Sequence, residues 1–153
     1  MEAILKGYSR AAEILLIEDN PGDVELIQEA LQSGKVLNRI SMVGDGEAAI
    51  GFLNRERGYE DAPRPDLVLL DLNIPKRNGF EVLAEMRKNP DLARVPVVIL
   101  TSSQADRDIV KSYSLHANCF VSKPVDVDEF LSIVRSTGEF WLNIVKLPGN
   151  SMT

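Results

Sequence analysis

Leu67-Val68-Leu69-Leu70-Asp71 sets four apolar residues in a row against a terminal aspartate. A run of that length with no polar alternation reads as a β-strand buried on both faces, the pattern of a parallel sheet covered by helices on each side. Outward from it, Ile14-Leu15-Leu16-Ile17 and Val97-Val98-Ile99-Leu100 repeat the pattern, and residues 39–43 and 119–121 fit it more weakly. Amphipathic segments separate these five runs. Residues 23–33 place Val24, Ile27 and Leu31 at helical spacing, 46–57 place Ala49, Ile50 and Leu53, 80–88 place Val82, Leu83 and Met86, and 107–116 place Ile109, Val110 and Tyr113. A fifth helix is predicted to start near Asp126, with Asp128 and Glu129 in its first turn, where the helix dipole favours anions. Alternating strands and helices predict an α/β, doubly wound (βα)5 domain.

The chain has 153 residues, 44% of them hydrophobic and 26% charged, enough to bury one core without disulfides or structural metal. Its formal charge of -6 argues against a broad phosphate-binding surface, so no nucleic-acid partner is expected. The single Cys119 has no internal partner, no run approaches the ~20 apolar residues of a membrane span, and residues 1–12 carry Glu2, Lys6 and Arg10 instead of an apolar leader core. A reducing, cytoplasmic location with no membrane partner is the expectation. Residues 58–65 read as a surface loop, and the domain is expected to occupy 13–136, with extensions at 1–12 and 137–153.

In an open parallel sheet, ligands bind beyond the carboxyl ends of the strands, where neighbouring crossovers run to opposite faces. Glu18 and Asp19 follow the first strand, Asp71 closes the third, Thr101 and Ser102 follow the fourth, and Lys123 follows the fifth. Each has an ordinary reading: Asp71 as a turn former, Glu18 and Asp19 as a solvated turn before Asn20-Pro21-Gly22, Thr101 to Ser103 as a helix cap, Lys123 as a surface lysine. All four being ordinary at the same edge would be a far greater coincidence than a shared chemical purpose. Three converging carboxylates require a cation, and hard oxygen ligands suit Mg²⁺. The Asp71 carboxylate is placed to act as a nucleophile toward a phosphoryl group, with the metal, Lys123 and the Thr101 hydroxyl positioned to absorb its charge.

The stretches Leu16-Ile17-Glu18-Asp19-Asn20, Leu70-Asp71-Leu72-Asn73-Ile74-Pro75 with Gly79, Leu100-Thr101-Ser102-Ser103 and Val121-Ser122-Lys123-Pro124 together resemble the response-regulator receiver family over nearly all of residues 13–136. The resemblance implies a flavodoxin-like fold with strand order 2-1-3-4-5. It implies that Asp71 accepts a phosphoryl group from a kinase phosphohistidine, and that Glu18, Asp19, Asp71 and the backbone carbonyl of Asn73 hold Mg²⁺, for which Mn²⁺ or Ca²⁺ could substitute in crystals. Thr101 and Phe120 map onto the family's switch pair, although Phe120, also readable as a core aromatic, lacks the hydroxyl that would make a polar readout. Lys123-Pro124 is implied to be a cis peptide, and Asn73 and Ser103 to influence dephosphorylation. His116 is expected to be an exposed residue near the end of the fourth helix, and Cys119 a buried small apolar one.

The chain ends without room for a DNA-binding domain, so output is expected through protein contacts or a phosphorelay. The Asp71-Leu72-Asn73-Ile74-Pro75-Lys76 and 118–124 runs, with Phe140-Trp141-Leu142, are most similar to single-domain response regulators associated with bacterial phytochrome histidine kinases. That resemblance implies a homodimer through helix 4, strand 5, helix 5 and the C-terminal extension. Phe140, Trp141, Leu142, Ile144, Val145 and Leu147 independently make an apolar surface suited to such a contact, or to folding back on the domain. The expected protein is therefore a phosphoacceptor switch that catalyses only its own phosphorylation and dephosphorylation. The rivals are a phosphorylation-independent dimeric adaptor, a Mg²⁺-dependent phosphohydrolase with an aspartyl nucleophile, and a flavodoxin-like FMN protein. An adaptor that takes no phosphate would have lost Asp71, Asp19, Thr101 or Lys123, the hydrolase would carry an acid where Asn73 stands, and Glu18-Asp19 would repel the flavin phosphate.

Overall fold

The computed structural model describes residues 11–33, 37–112, 117 and 119–135. The apolar runs form strands β1 (Ala12–Ile17), β2 (Asn38–Val43), β3 (Leu67–Asp71), β4 (Val97–Thr101) and β5 (Cys119–Ser122). The amphipathic segments form α1 (Pro21–Ser33), α2 (Gly46–Asn54), α3 (Gly79–Lys88), α4 (Gln104–Ser112) and α5 (Val127–Arg135). Every strand pair is parallel, and the order across the sheet is β2-β1-β3-β4-β5, the order that the family resemblance implies.

Every residue of β3 and β4 is buried, which is why neither strand shows polar alternation. Leu15, Ile17, Leu70 and Ile99 project to one face and pack with α2, with Val82, Leu83 and Met86 of α3, and with Val110 of α4. Ile14, Leu16, Leu69, Val98 and Leu100 project to the other, against Ile27 and Leu31 of α1 and Phe130 and Val134 of α5. Each fully buried aliphatic side chain contributes roughly 1.5–3 kcal/mol, so the sheet is a stiff platform for what stands at its end. The chain leaves β1 toward one face and β3 toward the other, although the two strands are hydrogen-bonded neighbours. Their divergence opens a cleft beyond Ile17 and Asp71.

Two glycines hold the connection from β3 to α3 against its neighbours. A Cβ on Gly79 would lie 2.5 Å from the Leu72 Cα and 2.7 Å from the Asp71 carbonyl oxygen. A Cβ on Gly46 would overlap the Arg77 carbonyl, and the Gly46 N–H donates to Pro75 O at 3.1 Å. Residues 72–78 are thereby braced by the first turns of both α2 and α3.

The helix ends differ from the sequence reading in ways that local hydrogen bonds explain. Helix α2 stops at Asn54, three residues earlier than predicted, because Arg55 takes a left-handed conformation (φ 56°, ψ 50°) and turns its N–H onto the Gly51 and Phe52 carbonyls. Helix α4 starts at Gln104, three residues earlier than predicted, because Ser103 Oγ accepts the Asp106 N–H at 3.1 Å. Helix α1 begins at Pro21 rather than Asp23, with Asn20 Oδ1 accepting the Asp23 N–H at 2.9 Å. The predicted last turn of the fourth helix, with Tyr113 and His116, lies outside the described residues.

Candidate functional site

Strands β1, β3, β4 and β5 deliver their polar residues to one edge of the sheet. Glu18 follows β1, Asp71 and Thr101 end β3 and β4, and Lys123 follows β5. Glu18, Asp71 and Thr101 are buried, at 3%, 2% and 4% exposure, so these carboxylates and this hydroxyl are not ordinary turn residues in water. Asp19 points to the exposed side of the same cluster.

The Lys123 ammonium ties the cluster together. Its Nζ lies 2.9 Å from Asp71 Oδ2, 3.0 Å from Glu18 Oε1 and 3.1 Å from Asp23 Oδ2. It donates to Asp71 Oδ2 and, at 3.3 Å, to Glu18 Oε2, which also accepts the backbone N–H groups of Asp19 and Asn20. Asp71 Oδ1 accepts the Asn73 N–H at 2.9 Å. The Lys123 backbone N–H donates to the Thr101 carbonyl at 3.2 Å, and the Lys123-Pro124 bond is cis.

Burial pushes the Glu18 carboxyl up to about 7, and the neighbouring Asp71 carboxylate adds to the rise. Burial alone would raise Asp71 as well, but its hydrogen bonds with Glu18, Asn73 N–H and Lys123 hold it below the usual aspartate value. The two carboxyls titrate as one unit, with Glu18 shifted up and Asp71 shifted down. Burial would lower Lys123, and the bonds to Asp71 and Glu18 outweigh it, so the ammonium stays charged well above its ordinary range.

These residues suit a divalent cation. Glu18, Asp19 and Asp71 each offer a carboxylate oxygen, all within 4.8 Å of one another. Glu18 Oε1 is buried and ion-paired with Lys123 Nζ at 3.0 Å, yet it accepts no hydrogen bond. A buried acceptor with a free lone pair beside two further carboxylates is a donor set for a hard metal ion.

Around this centre, Thr101 Oγ1 accepts the Ser103 N–H at 3.1 Å, and Ser103 Oγ caps α4, so both hydroxyls have local partners. Phe120 stands opposite Ile99 in the register, two residues before Ser122, which stands opposite Thr101. Its ring is half-buried, packed against the α2–α4 face of the sheet. Arg107 and Lys111 of α4 hold their cationic groups 5.4 and 5.6 Å from the ring centroid, and Arg107 also donates to Ser122 Oγ at 2.6 Å. Cys119 is half-buried, less enclosed than predicted, because β5 is the last strand of the sheet.

Sequence reasoning passed over Asp23, whose place in the first turn of a helix gave it a sufficient structural reason to be acidic. It also passed over the two cations at Phe120, since only the fold brings α4 beside β5. Phe140, Trp141, Leu142 and Ile144 lie outside the described residues, as does His116. Among the described residues, no helix is long and apolar enough to cross a membrane.

A doubly wound sheet that presents an acidic cation site, a buried strand-end aspartate, a hydroxyl and a lysine at one edge defines a class of phosphoacceptor signalling domain. The chain belongs to the response-regulator receiver family: the profile described as response regulator receiver domain matches residues 14–135. It is 45% identical to response regulator Rcp1 of Synechocystis sp. over 135 residues, 88% of this chain and 92% of that one. The crystal structure of the Mn²⁺-bound form of Rcp1 superposes with a TM-score of 0.73 at 44% identity, covering 90% of this chain and 99% of that one. That of the phosphorylated cyanobacterial phytochrome response regulator RcpA gives 0.74 at 45% identity, covering 91% and 99%. The protein is a two-component signalling switch.

Proposed function

We propose that Asp71 is the phosphoacceptor of a response regulator served by a phytochrome-type histidine kinase. The observation that carries this reading is the placement of the Lys123 ammonium 2.9 Å from Asp71 Oδ2, beside three carboxylates able to share a cation. The Asp71 carboxylate attacks the phosphorus of a phosphohistidine, the P–N bond breaks, and its electron pair leaves on the imidazole. Lys123 balances charge on the transferred group, and the Thr101 hydroxyl, one strand away, donates to it. Glu18, Asp19, Asp71 and the Asn73 carbonyl would hold Mg²⁺, which supplies charge neutralisation for the phosphoryl oxygens, and Mn²⁺ or Ca²⁺ could replace it. Asn73, exposed beside Asp71, and Ser103 flank the path of the hydrolytic water.

The kinase assignment rests on the relatives, since RcpA is by name a phytochrome response regulator. The protein is otherwise no conventional enzyme, turning over only its own phosphoryl group. In this reading residues 13–136 are the receiver and 1–12 and 137–153 its extensions. Output is a protein contact, with a homodimer formed through α4, β5, α5 and the C-terminal extension, and Thr101 and Phe120 passing the change outward. A cytoplasmic location is supported by the lone Cys119.

Incubation with acetyl phosphate and Mg²⁺ followed by intact mass measurement tests the core of this reading. The expected result is one phosphoryl adduct, absent in Asp71→Asn. No adduct on the wild type, or an undiminished one in the variant, would overturn it.

A further inference from the structure

Asp23 sits in the first turn of α1, at the third helical position after Asn20. An acidic residue there has two ordinary duties: favouring the helix dipole, and reaching back to the backbone N–H of the capping residue. The second duty is already discharged by another residue. The Asn20 N–H donates to Glu18 Oε2 at 3.2 Å, while Asn20 Oδ1 accepts the Asp23 N–H at 2.9 Å and fixes the turn. The Asp23 side chain, only 12% exposed, turns inward and pairs with Lys123 Nζ at 3.1 Å.

This contact differs in kind from the other two that Lys123 makes. Glu18 and Asp71 belong to the set of carboxylates able to share a cation, whereas Asp23 does not. Once a cation draws on the Glu18 and Asp71 oxygens, their hold on the ammonium weakens, because one carboxylate cannot serve both at full strength. Asp23 alone keeps its whole charge for Lys123. It also approaches from α1, the helix that follows β1, and β3 stands between β1 and the strand β4 that ends in Thr101.

We propose that Asp23 is a positioning residue that retains the Lys123 ammonium in the site when a cation engages Glu18 and Asp71, so that the lysine is already in place when a phosphoryl group arrives. This rests on the reading of Lys123 as the group that balances phosphoryl charge. Asp23 touches no reacting atom and acts only through the lysine.

The test combines a double-mutant cycle with a direct view of the ammonium. Initial rates of phosphorylation by acetyl phosphate, read by intact mass, should fall about 10-fold in Asp23→Asn, the usual weight of a lost charge-assisted hydrogen bond. Asp23→Glu should recover part of the loss. In a Lys123→Met background, Asp23→Asn should change the rate by less than about 2-fold, because nothing remains to be positioned. Equal losses in both backgrounds would overturn the proposal in favour of a merely structural role, as would no loss in either. Independently of phosphorylation, the lysine ammonium signal in ¹⁵N NMR should survive Mg²⁺ saturation in the wild type and vanish in Asp23→Asn. Its survival in the variant would equally overturn the proposal. A wild type that takes no phosphoryl group, or a Lys123→Met that reacts like wild type, would overturn the reading of the site instead, and the NMR comparison would still decide the role of Asp23.

Discussion

Adding Mg²⁺ should stabilise this protein, and the extent follows from the crowding of its carboxylates. Two unit negative charges no more than 4.8 Å apart repel by about 3 kcal/mol or more at an effective dielectric of ~20, less where water reaches one of them, as it does at Asp19. A cation bound by Glu18, Asp19 and Asp71 removes that repulsion from the folded state alone. At a hundredfold excess over its dissociation constant it adds about 2.7 kcal/mol, which for a domain of this size raises Tm by roughly 5–11 °C. Asp19→Asn separates this account from nonspecific salt effects by its sign. Without metal the variant should melt at the wild-type temperature or slightly above, since a repulsive charge has gone. With Mg²⁺ it should gain less than about a third of the wild-type shift, having lost a ligand. Calorimetry or dye-monitored melting at about pH 8, where Glu18 is ionised, with EDTA or saturating Mg²⁺, reads both effects. A wild-type Tm indifferent to Mg²⁺, or an Asp19→Asn that responds as fully as the wild type, would refute the argument.

In EDTA, stability should fall as pH rises from about 4.5 to about 7, because Glu18 has its pKa raised across that interval and the folded state binds more protons than the unfolded one. The loss is up to ~3 kcal/mol by urea unfolding, and stability rising through that window would contradict it. Below that window the depressed Asp71 works in the opposite sense: its contribution is present above the ordinary aspartate value and is lost as pH falls through the lower folded one. Gly79→Ala should cost about 1–3 kcal/mol, since the new methyl meets the Leu72 Cα and the Asp71 carbonyl, backbone atoms that cannot step aside. An unchanged melting temperature would show that α3 can slide. Arg107→Ala and Lys111→Ala each remove a cation from the Phe120 ring and should enlarge the population of its alternative rotamer about 2- to 5-fold, as seen by fluorine NMR on labelled phenylalanine. Spectra identical to wild type would mean that the two side chains merely pass over the ring.

The sheet was legible because β1, β3 and β4 are covered on both faces and so write uninterrupted apolar runs into the chain. The acidic cluster was legible as well, since strand ends gather whatever follows them at one edge. What escaped was decided by single contacts. Arg55 ends α2 by adopting a left-handed conformation that nothing in its side chain advertises, and Ser103 starts α4 early by offering one oxygen. Glu18 and Asp19 are adjacent and chemically alike, yet one is buried with a raised pKa and the other meets solvent. Asp23 was hidden by its own plausibility as a dipole partner. The cations at Phe120 depend on α4 crossing beside β5, which no local pattern encodes.

The bracing of residues 72–78 by Gly46 and Gly79 has a practical consequence. A segment clamped at both flanks by backbone contacts can exchange its exposed side chains without disturbing the strand before it or the helix after it. Asn73 and Pro75 are such positions. They form a cassette next to Asp71 that could be transplanted between relatives while both glycines, and with them the scaffold, stay untouched.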